Sequence, residues 1–170
     1  MAFLLKKSGS KKVNIILLTA MLLLCVQLVC AQSKYVRKYR PLADSLAEAY
    51  GIPAAVILGV AIIESGSGTS RNCRLLNNHF GIVGKNNVHK THGVKTKYKQ
   101  YPSGRASYID FCRLLARRKY YTKLKGNKDY RAWTYAISRH NYSEIPVEWK
   151  KRVDAAIRKN KLSAHLSKKD

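Results

Sequence analysis

The sequence predicts a mostly α-helical α+β domain, in which a helical body carries one small antiparallel β-hairpin. Apolar residues recur at helical spacing in five segments, and in one further segment they alternate with lysines. The chain of 170 residues is 46% hydrophobic and 25% charged. This composition is typical of one globular domain and excludes a disordered or fibrous chain.

The first thirty-one residues are predicted to be an export signal outside this domain. Four lysines, the last of them Lys12, precede an uncharged aliphatic stretch at 13–30, and the composition turns polar after Ala31. The alternative is an uncleaved anchor, because this stretch is near the lower limit for a membrane span. We expect an exported protein of the periplasm, the cell envelope or the medium, with its domain at 32–162 and a basic tail at 163–170.

The charge of the remaining chain is strongly positive. Without the predicted signal it has 29 Lys and Arg residues against 9 Asp and Glu residues, a formal charge of +20. Such a field attracts polyanions, which outside the cytoplasm are cell-wall polymers, anionic lipid or stray nucleic acid. The alternative is a solvated basic surface, because charge alone identifies no ligand.

Two helices and a hairpin are predicted in the first half of the domain. Pro41 suits the first turn of a helix that Gly51 ends. The next helix, at about 54–64, is apolar on every face and too short to cross a membrane, so it is predicted to be the buried central helix. Within 88–101, lysines alternate with less polar residues and His92-Gly93 supplies a turn, which predicts an antiparallel hairpin with a cationic outer face.

Three helices are predicted in the second half, at about 107–121, 129–140 and 146–161. In the last two the apolar residues repeat at helical spacing, so one face of each should point into the core. These inward residues are Tyr130, Trp133, Ile137, Trp149, Val153 and Ile157.

Glu64 is the most informative charged residue, because it ends the apolar helix directly before a Gly/Ser turn at 65–70. Burial and the negative end of the helix dipole both disfavour its charged form, so we predict a raised pKa for Glu64. A carboxylic acid that keeps its proton near neutral pH can protonate a glycosidic oxygen. The alternative is an ordinary Glu that reaches solvent at a helix end.

Motifs from about residue 40 to residue 158 occur in a recognisable order. They are Ile62-Ile63-Glu64-Ser65-Gly66, Asn77-Asn78-His79-Phe80-Gly81, Tyr98-Lys99-Gln100-Tyr101-Pro102, Ser107-Tyr108-Ile109-Asp110, Asp129-Tyr130-Arg131-Ala132-Trp133 and Asn141-Tyr142. In them the chain resembles the glucosaminidase family, the mannosyl-glycoprotein endo-β-N-acetylglucosaminidase-like domains of bacterial peptidoglycan hydrolases.

This resemblance implies a lysozyme-like fold, with a cleft between the helical body and a small β lobe. It also implies hydrolysis of the β-1,4 bond after N-acetylglucosamine in peptidoglycan, with Glu64 as the catalytic acid and Tyr142 in contact with the substrate. Tyr142 lacks the Gly-Tyr-Ala-Thr frame of many members. Aromatic packing between two helices is therefore the alternative for Tyr142.

A second departure concerns the other carboxylate, which related enzymes often place in the β lobe. Residues 84–101 contain no Asp or Glu. We choose Asp110 for this role, although Ser107-x-x-Asp110 also matches a helix capping box, and the alternatives Asp129 and Glu144 suit helix starts. We favour a substrate-assisted route that uses the acetamido group of the sugar and needs Glu64 alone; a lysozyme-like transglycosylase would also need one acid.

Five residues are candidates for binding the glycan: Asn77, Asn78, Phe80, Tyr98 and Tyr101. Amides can hydrogen-bond sugar hydroxyls, and aromatic rings can stack on pyranose faces. The alternatives are a turn that ties a helix to the hairpin at 77–81 and core packing for Tyr98.

Cys73 and Cys112 remain after the predicted signal, so a disulfide between them is one alternative and a buried thiol at Cys112 is the other. The spacing of Cys73, His79, His89 and His92 does not match a structural zinc site, and we expect no metal or cofactor.

The expected partners are the glycan strands of peptidoglycan and other anionic cell-wall polymers. We expect a monomer with no specific nucleic-acid partner and no stable membrane span after signal cleavage. Two other classes of function stay open: a wall-binding module without turnover, and a cationic protein that acts on membranes or nucleic acid by charge alone.

Overall fold

The computed structural model describes residues 34–163, so the predicted export signal, and the predicted tail beyond residue 163, lie outside the described residues. This range forms eight helices, which confirms the predicted helical body. In chain order they are α1 (34–50), α2 (Ala54–Ser65), α3 (Arg71–Leu76), α4 (Val88–His92), α5 (Gly104–Ala116), α6 (Tyr121–Leu124), α7 (Tyr130–Arg139) and α8 (Pro146–Lys159).

Helix α2 is the buried centre of the body, as predicted. All residues at 55–62 are buried, and α7 and α8 pack against the helix. A Cβ atom at Gly59 would lie 2.6 Å from Cγ1 of Ile157, so α2 and α8 approach closely because residue 59 has no side chain. Gly66 ends α2 in the left-handed conformation, with φ 56°, which leaves Glu64 in the last turn.

Helix α1 begins earlier than predicted. The expected start at Pro41 is wrong, because the helix already covers residue 34 and continues to residue 50. A proline inside a helix removes one backbone donor, but Pro41 lies on the exposed face and the preceding turn buries Tyr35 in the core. Packing of this turn outweighs the lost hydrogen bond. Gly51 follows the end of the helix as predicted, with φ 63°.

The predicted hairpin is wrong in its first arm. Residues 88–92 form the short helix α4, because Val88 is fully buried, and Gly93 ends this helix instead of making a hairpin turn. The second arm does run extended, but it pairs with residues 82–86: the Lys99 N–H donates to the Ile82 carbonyl at 2.8 Å. One antiparallel bridge forms at 83 and 98, and the described residues contain no strand. We call residues 77–101 the lobe.

The alternation that predicted the hairpin is nevertheless present in the lobe. Lys95 and Lys97 are exposed, whereas Val94, Thr96 and Tyr98 are half-buried. Exposure is therefore confirmed for these two lysines, whereas Lys99, the third lysine of the alternation, is half-buried and pairs with Asp110.

Helix α5 starts and ends before its predicted limits. Its N-cap is Ser103, whose hydroxyl accepts from the Ala106 N–H, so the predicted capping box at Ser107 is wrong. Ser107 is instead buried inside the helix, and its hydroxyl oxygen accepts from the His79 N–H at 3.0 Å. The chain then turns at 117–120 and resumes as α6.

Helices α7 and α8 follow the prediction. Asp129 caps α7 by accepting from the Arg131 N–H at 2.9 Å, and Pro146 opens α8. The inward residues of both helices are buried. Leu162, beyond the end of α8, is also buried in the core.

Cys73 and Cys112 are both buried and free, which settles the two alternatives in favour of thiols. Cys112 lies on the apolar face of α5, and burial raises the pKa of its thiol to about 12. Within residues 34–163, none of the helices has the length and apolar character that a bilayer crossing requires.

Candidate active site

A cleft of about 680 Å³ separates the helical body from the lobe, and Glu64 lies in it. The body contributes the end of α2, part of α5 and the loop between α7 and α8, whereas the lobe contributes residues 80–83 and 97–98. The lining residues are Glu64, Phe80, Gly81, Ile82, Val83, Lys97, Tyr98, Leu114, Arg118, Asn141, Tyr142, Ser143 and Glu144.

The Glu64 carboxyl is half-buried, and a neutral donor holds it in place. The indole N–H of Trp149, a residue that is only 3% exposed, donates to Oε1 of Glu64 at 2.6 Å. Burial raises the pKa of Glu64, and it outweighs the Trp149 hydrogen bond and the positive charge of Arg152, which both lower it. No lysine or arginine among residues 34–163 forms an ion pair with Glu64. The predicted direction of the pKa shift is therefore confirmed.

Gly81 brings the lobe backbone against the other carboxyl oxygen. Its φ is 64°, and a Cβ atom there would lie 3.2 Å from Oε2 of Glu64. The absence of a side chain thus leaves one edge of the carboxyl open toward the cleft.

Tyr142 lines the cleft and packs inside the body at the same time. Its hydroxyl donates to the Phe80 carbonyl at 2.8 Å, and its ring lies 5.3 Å from the Trp149 ring. Burial, followed by the negative charge of Glu64, raises the pKa of Tyr142 well above its usual value. Tyr142 therefore joins the lobe to the body directly beside the acid.

The predicted glycan-binding residues fall into two groups. Phe80 and Tyr98 line the cleft. Asn77, Asn78 and Tyr101 do not, and their polar atoms are occupied by the protein. The Asn77 amide donates to the Tyr101 carbonyl at 3.1 Å, whereas the buried Asn78 donates to the carbonyls at 82 and 99 and accepts from the N–H groups at 80 and 82.

Asp110, the predicted second carboxylate, lies outside the cleft lining. It accepts from Nζ of Lys99 and from the hydroxyl of Tyr101, both at 2.7 Å. These contacts tie α5 to the end of the lobe.

A buried polar cluster fixes the turn that follows Glu64. The Ser65 hydroxyl donates to the Ala61 carbonyl at 2.6 Å and accepts from the Gly68 N–H at 2.8 Å. Behind it, the Tyr35 hydroxyl lies 2.7 Å from Nδ1 of His79 and 2.9 Å from the Tyr108 hydroxyl. Burial, and secondarily the charge of Lys38, lowers the pKa of His79 to about 4, so the ring is neutral at pH 7.

Sequence reasoning gave only a structural explanation to two site residues: Trp149, which contacts Glu64, and Glu144, which lines the cleft. Trp149 was predicted only as a core residue. Its indole N–H needs a hydrogen-bond acceptor when the ring is buried, and this requirement is the sequence signal for a polar partner. Glu144 was explained by the start of α8. Nothing in the local pattern shows that its loop folds back to the cleft.

A second cavity of about 600 Å³ lies elsewhere in the body and shares no lining residue with the cleft. Arg40 and Asp44 in its wall are joined by an ion pair at 2.8 Å. It contains none of the predicted site residues.

Comparison with known proteins identifies the family. The family model for mannosyl-glycoprotein endo-β-N-acetylglucosaminidase, named Glucosaminidase, matches residues 40–162. The chain belongs to this glucosaminidase family. No curated protein matches the chain at a significant level.

Solved structures similar to this glucosaminidase-family domain share its mostly helical, lysozyme-like fold. The catalytic domain of the autolysin Auto from Listeria monocytogenes is 20% identical, with a TM-score of 0.65 over 79% of this chain and 86% of that chain. The glycoside hydrolase domain of FlgJ from Salmonella typhimurium, C-terminally truncated, is 20% identical, with a TM-score of 0.62 over 76% and 97%. A mutant peptidoglycan hydrolase from Sphingomonas sp. A1 is 24% identical, with a TM-score of 0.60 over 79% and 97%.

Proposed function

We propose that this glucosaminidase-family protein is an exported hydrolase that cleaves the β-1,4 bond after N-acetylglucosamine in the glycan strands of peptidoglycan. The observation that carries the proposal is the Glu64 carboxyl, whose pKa burial raises and which a neutral indole donor holds in an open cleft. The family supports the reaction type, and the printed names of the neighbouring structures support the substrate.

In this reaction Glu64 is the general acid. A protonated carboxyl hydrogen-bonded on Oε1 by Trp149 can place its proton on Oε2, the oxygen beside Gly81. That proton passes to the glycosidic oxygen as the bond to the anomeric carbon breaks. The hydrophobic surroundings of the acid raise its pKa, which favours the protonated form that a general acid needs.

The remaining lining residues suit a sugar polymer. Tyr98 offers an aromatic surface in the lobe wall, and Tyr142 with Phe80 closes the inner end of the cleft beside the acid. Lys97 and Arg118 also line the cleft, and neither forms an ion pair with another residue of the described range. Their charges attract the carboxylates that stem peptides and wall polymers carry.

The second candidate is a wall-binding module without turnover. The observation that favours it is the lobe, which carries no acid on its side of the cleft. This candidate keeps the cleft and its cations but assigns no role to the proton on Glu64.

The deciding experiment compares wild type with Glu64→Gln on purified peptidoglycan, and measures new reducing ends and pelleted protein at several salt concentrations. We expect turnover to fall by about 10³-fold, within the range for loss of a general acid, while binding is kept. The matched control is Glu148→Gln, which makes the same substitution at an exposed position on α8 outside the cleft.

Three results would contradict the proposal. Equal turnover in Glu64→Gln and wild type would remove the acid from the mechanism. Binding without turnover in either protein would favour the wall-binding module. Binding that disappears with salt for all three proteins, again without turnover, would favour a protein that acts by charge alone.

A further inference from the structure

We propose that Glu144 is the second catalytic carboxylate of this cleft, and that it acts as the general base for the attacking water. This inference rests on the proposed function, because it presupposes that Glu64 is the acid of a glycosidic cleavage. It replaces both the candidate Asp110 and the substrate-assisted route that the acid-free lobe suggests.

The first argument is where each acidic residue within 34–163 lies and what it pairs with. Only Glu64 and Glu144 line the cleft. The others are Asp44, Asp110 and Asp154, each in an ion pair, Asp129, which caps α7, and Glu48 and Glu148, which lie outside the cleft lining. Glu144 itself pairs with no lysine or arginine of the described part, so its carboxylate is available to water.

The second argument is that the loop carrying Glu144 is held at several points. Asn141 turns the chain after α7 with φ 57°, and Tyr142 attaches it to the Phe80 carbonyl at 2.8 Å. The Ser143 hydroxyl oxygen accepts from the Ile145 N–H at 3.2 Å, directly before Pro146 opens α8. A carboxylate in this loop is therefore held on the body side of the cleft.

The third argument is the contrast between the two helix ends. Glu64 is half-buried in the last turn of α2, where the dipole disfavours negative charge. Glu144 is exposed and lies just before the first turn of α8, a helix of 14 residues, where the dipole favours negative charge. Glu64 thus lies at a helix end where the dipole opposes a carboxylate and Glu144 beside one where it stabilises a carboxylate, an arrangement that suits the acid and base roles.

The exposure of Glu144 favours a base over a covalent nucleophile. Glu144 is exposed in an open cleft that Glu64 also lines, so a water molecule can reach its carboxylate. A base that activates water needs this room, which in inverting enzymes corresponds to a carboxylate separation of roughly 6.5–9.5 Å.

The reaction balances as one hydrolysis. Glu144 takes a proton from a water molecule whose oxygen forms the new bond to the anomeric carbon. Glu64 gives its proton to the glycosidic oxygen as the old bond breaks. One water is added, the configuration inverts from β to α, and exchange with solvent restores the starting protonation of both residues.

The test uses the full chain and soluble peptidoglycan fragments, with the anomer of the first product followed by NMR. We expect the α anomer from wild type. We expect a loss of at least about 100-fold in turnover for Glu144→Ala, and partial recovery with azide, which forms an α-glycosyl azide. Glu148→Ala, at an exposed position outside the cleft, should keep the wild-type rate, and Glu64→Gln should not recover with azide.

The proposal is overturned if the first product is the β anomer, if folded Glu144→Ala keeps wild-type turnover, or if its lost turnover does not recover with azide. The last result would make Glu144 a binding residue. An inactive wild type would instead refute the proposed function, so the two failures are distinguishable.

Discussion

The body wall of the cleft and the lobe wall differ in what holds each of them in place. The body wall rests on apolar packing of α2 against α8, with Gly59 at their closest approach. The lobe wall rests on side-chain amides: Asn78 and Asn86 each bridge two backbone carbonyls, and one isolated β-bridge joins the segments.

This difference matches a division of roles. A packed helical wall fixes side chains firmly, and it carries Glu64 and Trp149, whereas Glu144 lies in the loop between α7 and α8 on the same side of the cleft. The lobe contributes backbone, the Tyr98 ring and the charge of Lys97, and it places no carboxylate in the cleft. The wall that must position the acid accurately is thus the one that packs directly on the apolar core.

The largest effect should come from breaking the body wall with Gly59→Val. A Cβ atom there would lie 2.6 Å from Cγ1 of Ile157, so α2 and α8 must separate. We expect a loss of about 3 kcal/mol or more in the free energy of unfolding, measured by urea denaturation. Gly93→Ala is the control in the lobe: it has no atom within 4 Å of the added Cβ, and its φ of 64° should cost only about 1 kcal/mol. Equal losses of unfolding free energy for Gly59→Val and Gly93→Ala would contradict the proposed difference between the two walls.

A pH-dependent effect of similar size should come from His79, which is buried between the walls. Burial lowers its pKa from 6.5 to about 4, so the unfolded chain binds the proton at higher pH than the folded one. The free energy of unfolding should therefore fall as the pH decreases from 6.5 to 4, by up to about 3 kcal/mol. His79→Gln cannot take up this proton and should show a shallower decline in urea titrations across that range. If the unfolding free energies of wild type and His79→Gln fall in parallel as the pH decreases, His79 is not the source of the acid sensitivity.

A smaller and local effect should come from Asn78→Ala, which removes four hydrogen bonds of the lobe. Because buried backbone groups lose their partners, we expect a local cost of about 2 kcal/mol. Hydrogen exchange should accelerate at the Ile82 and Lys99 amides, while the amides of α2 keep their protection. Uniform acceleration across both walls would show that the lobe is not an independent unit.

The smallest effect should come from Trp149→Phe, which keeps the packed ring but removes the donor to Glu64. The indole hydrogen bond lowers the pKa of Glu64, so its loss should raise that pKa further. The alkaline limb of the pH–rate profile should move to higher pH, with only a few-fold change in turnover at the optimum. A limb that stays in place would mean that Trp149 has a packing role alone.

The sequence predicted the body far better than the lobe. Helices α2, α7 and α8 follow from local periodicity, because an apolar stripe or an all-apolar segment needs burial whatever its partner is. The same reasoning identified Glu64, since an acid at the end of such a helix is unusual in itself.

The errors concern features that depend on distant partners. Alternation at 94–99 indicated an extended segment correctly, but its partner, residues 82–86, is recruited by the amides of Asn78 and Asn86. The pairing of Asp110 with Lys99 and that of Trp149 with Glu64 join residues 11 and 85 positions apart in the chain. Neither pairing produces a recognisable pattern in the local sequence. The positions of these groups relative to the cleft therefore follow only from the fold.

The central claim is that the surroundings of Glu64 disfavour the charged form of its carboxyl and raise its pKa, and titration of that carboxyl tests this claim most directly. Carbon NMR of protein labelled at glutamate carboxyls, with Glu64→Gln to assign the signal, reports its pKa without any assay of activity. We predict a midpoint above the ordinary value of 4.5. A midpoint at or below that value would show that the surroundings do not favour the protonated form, and would contradict the account.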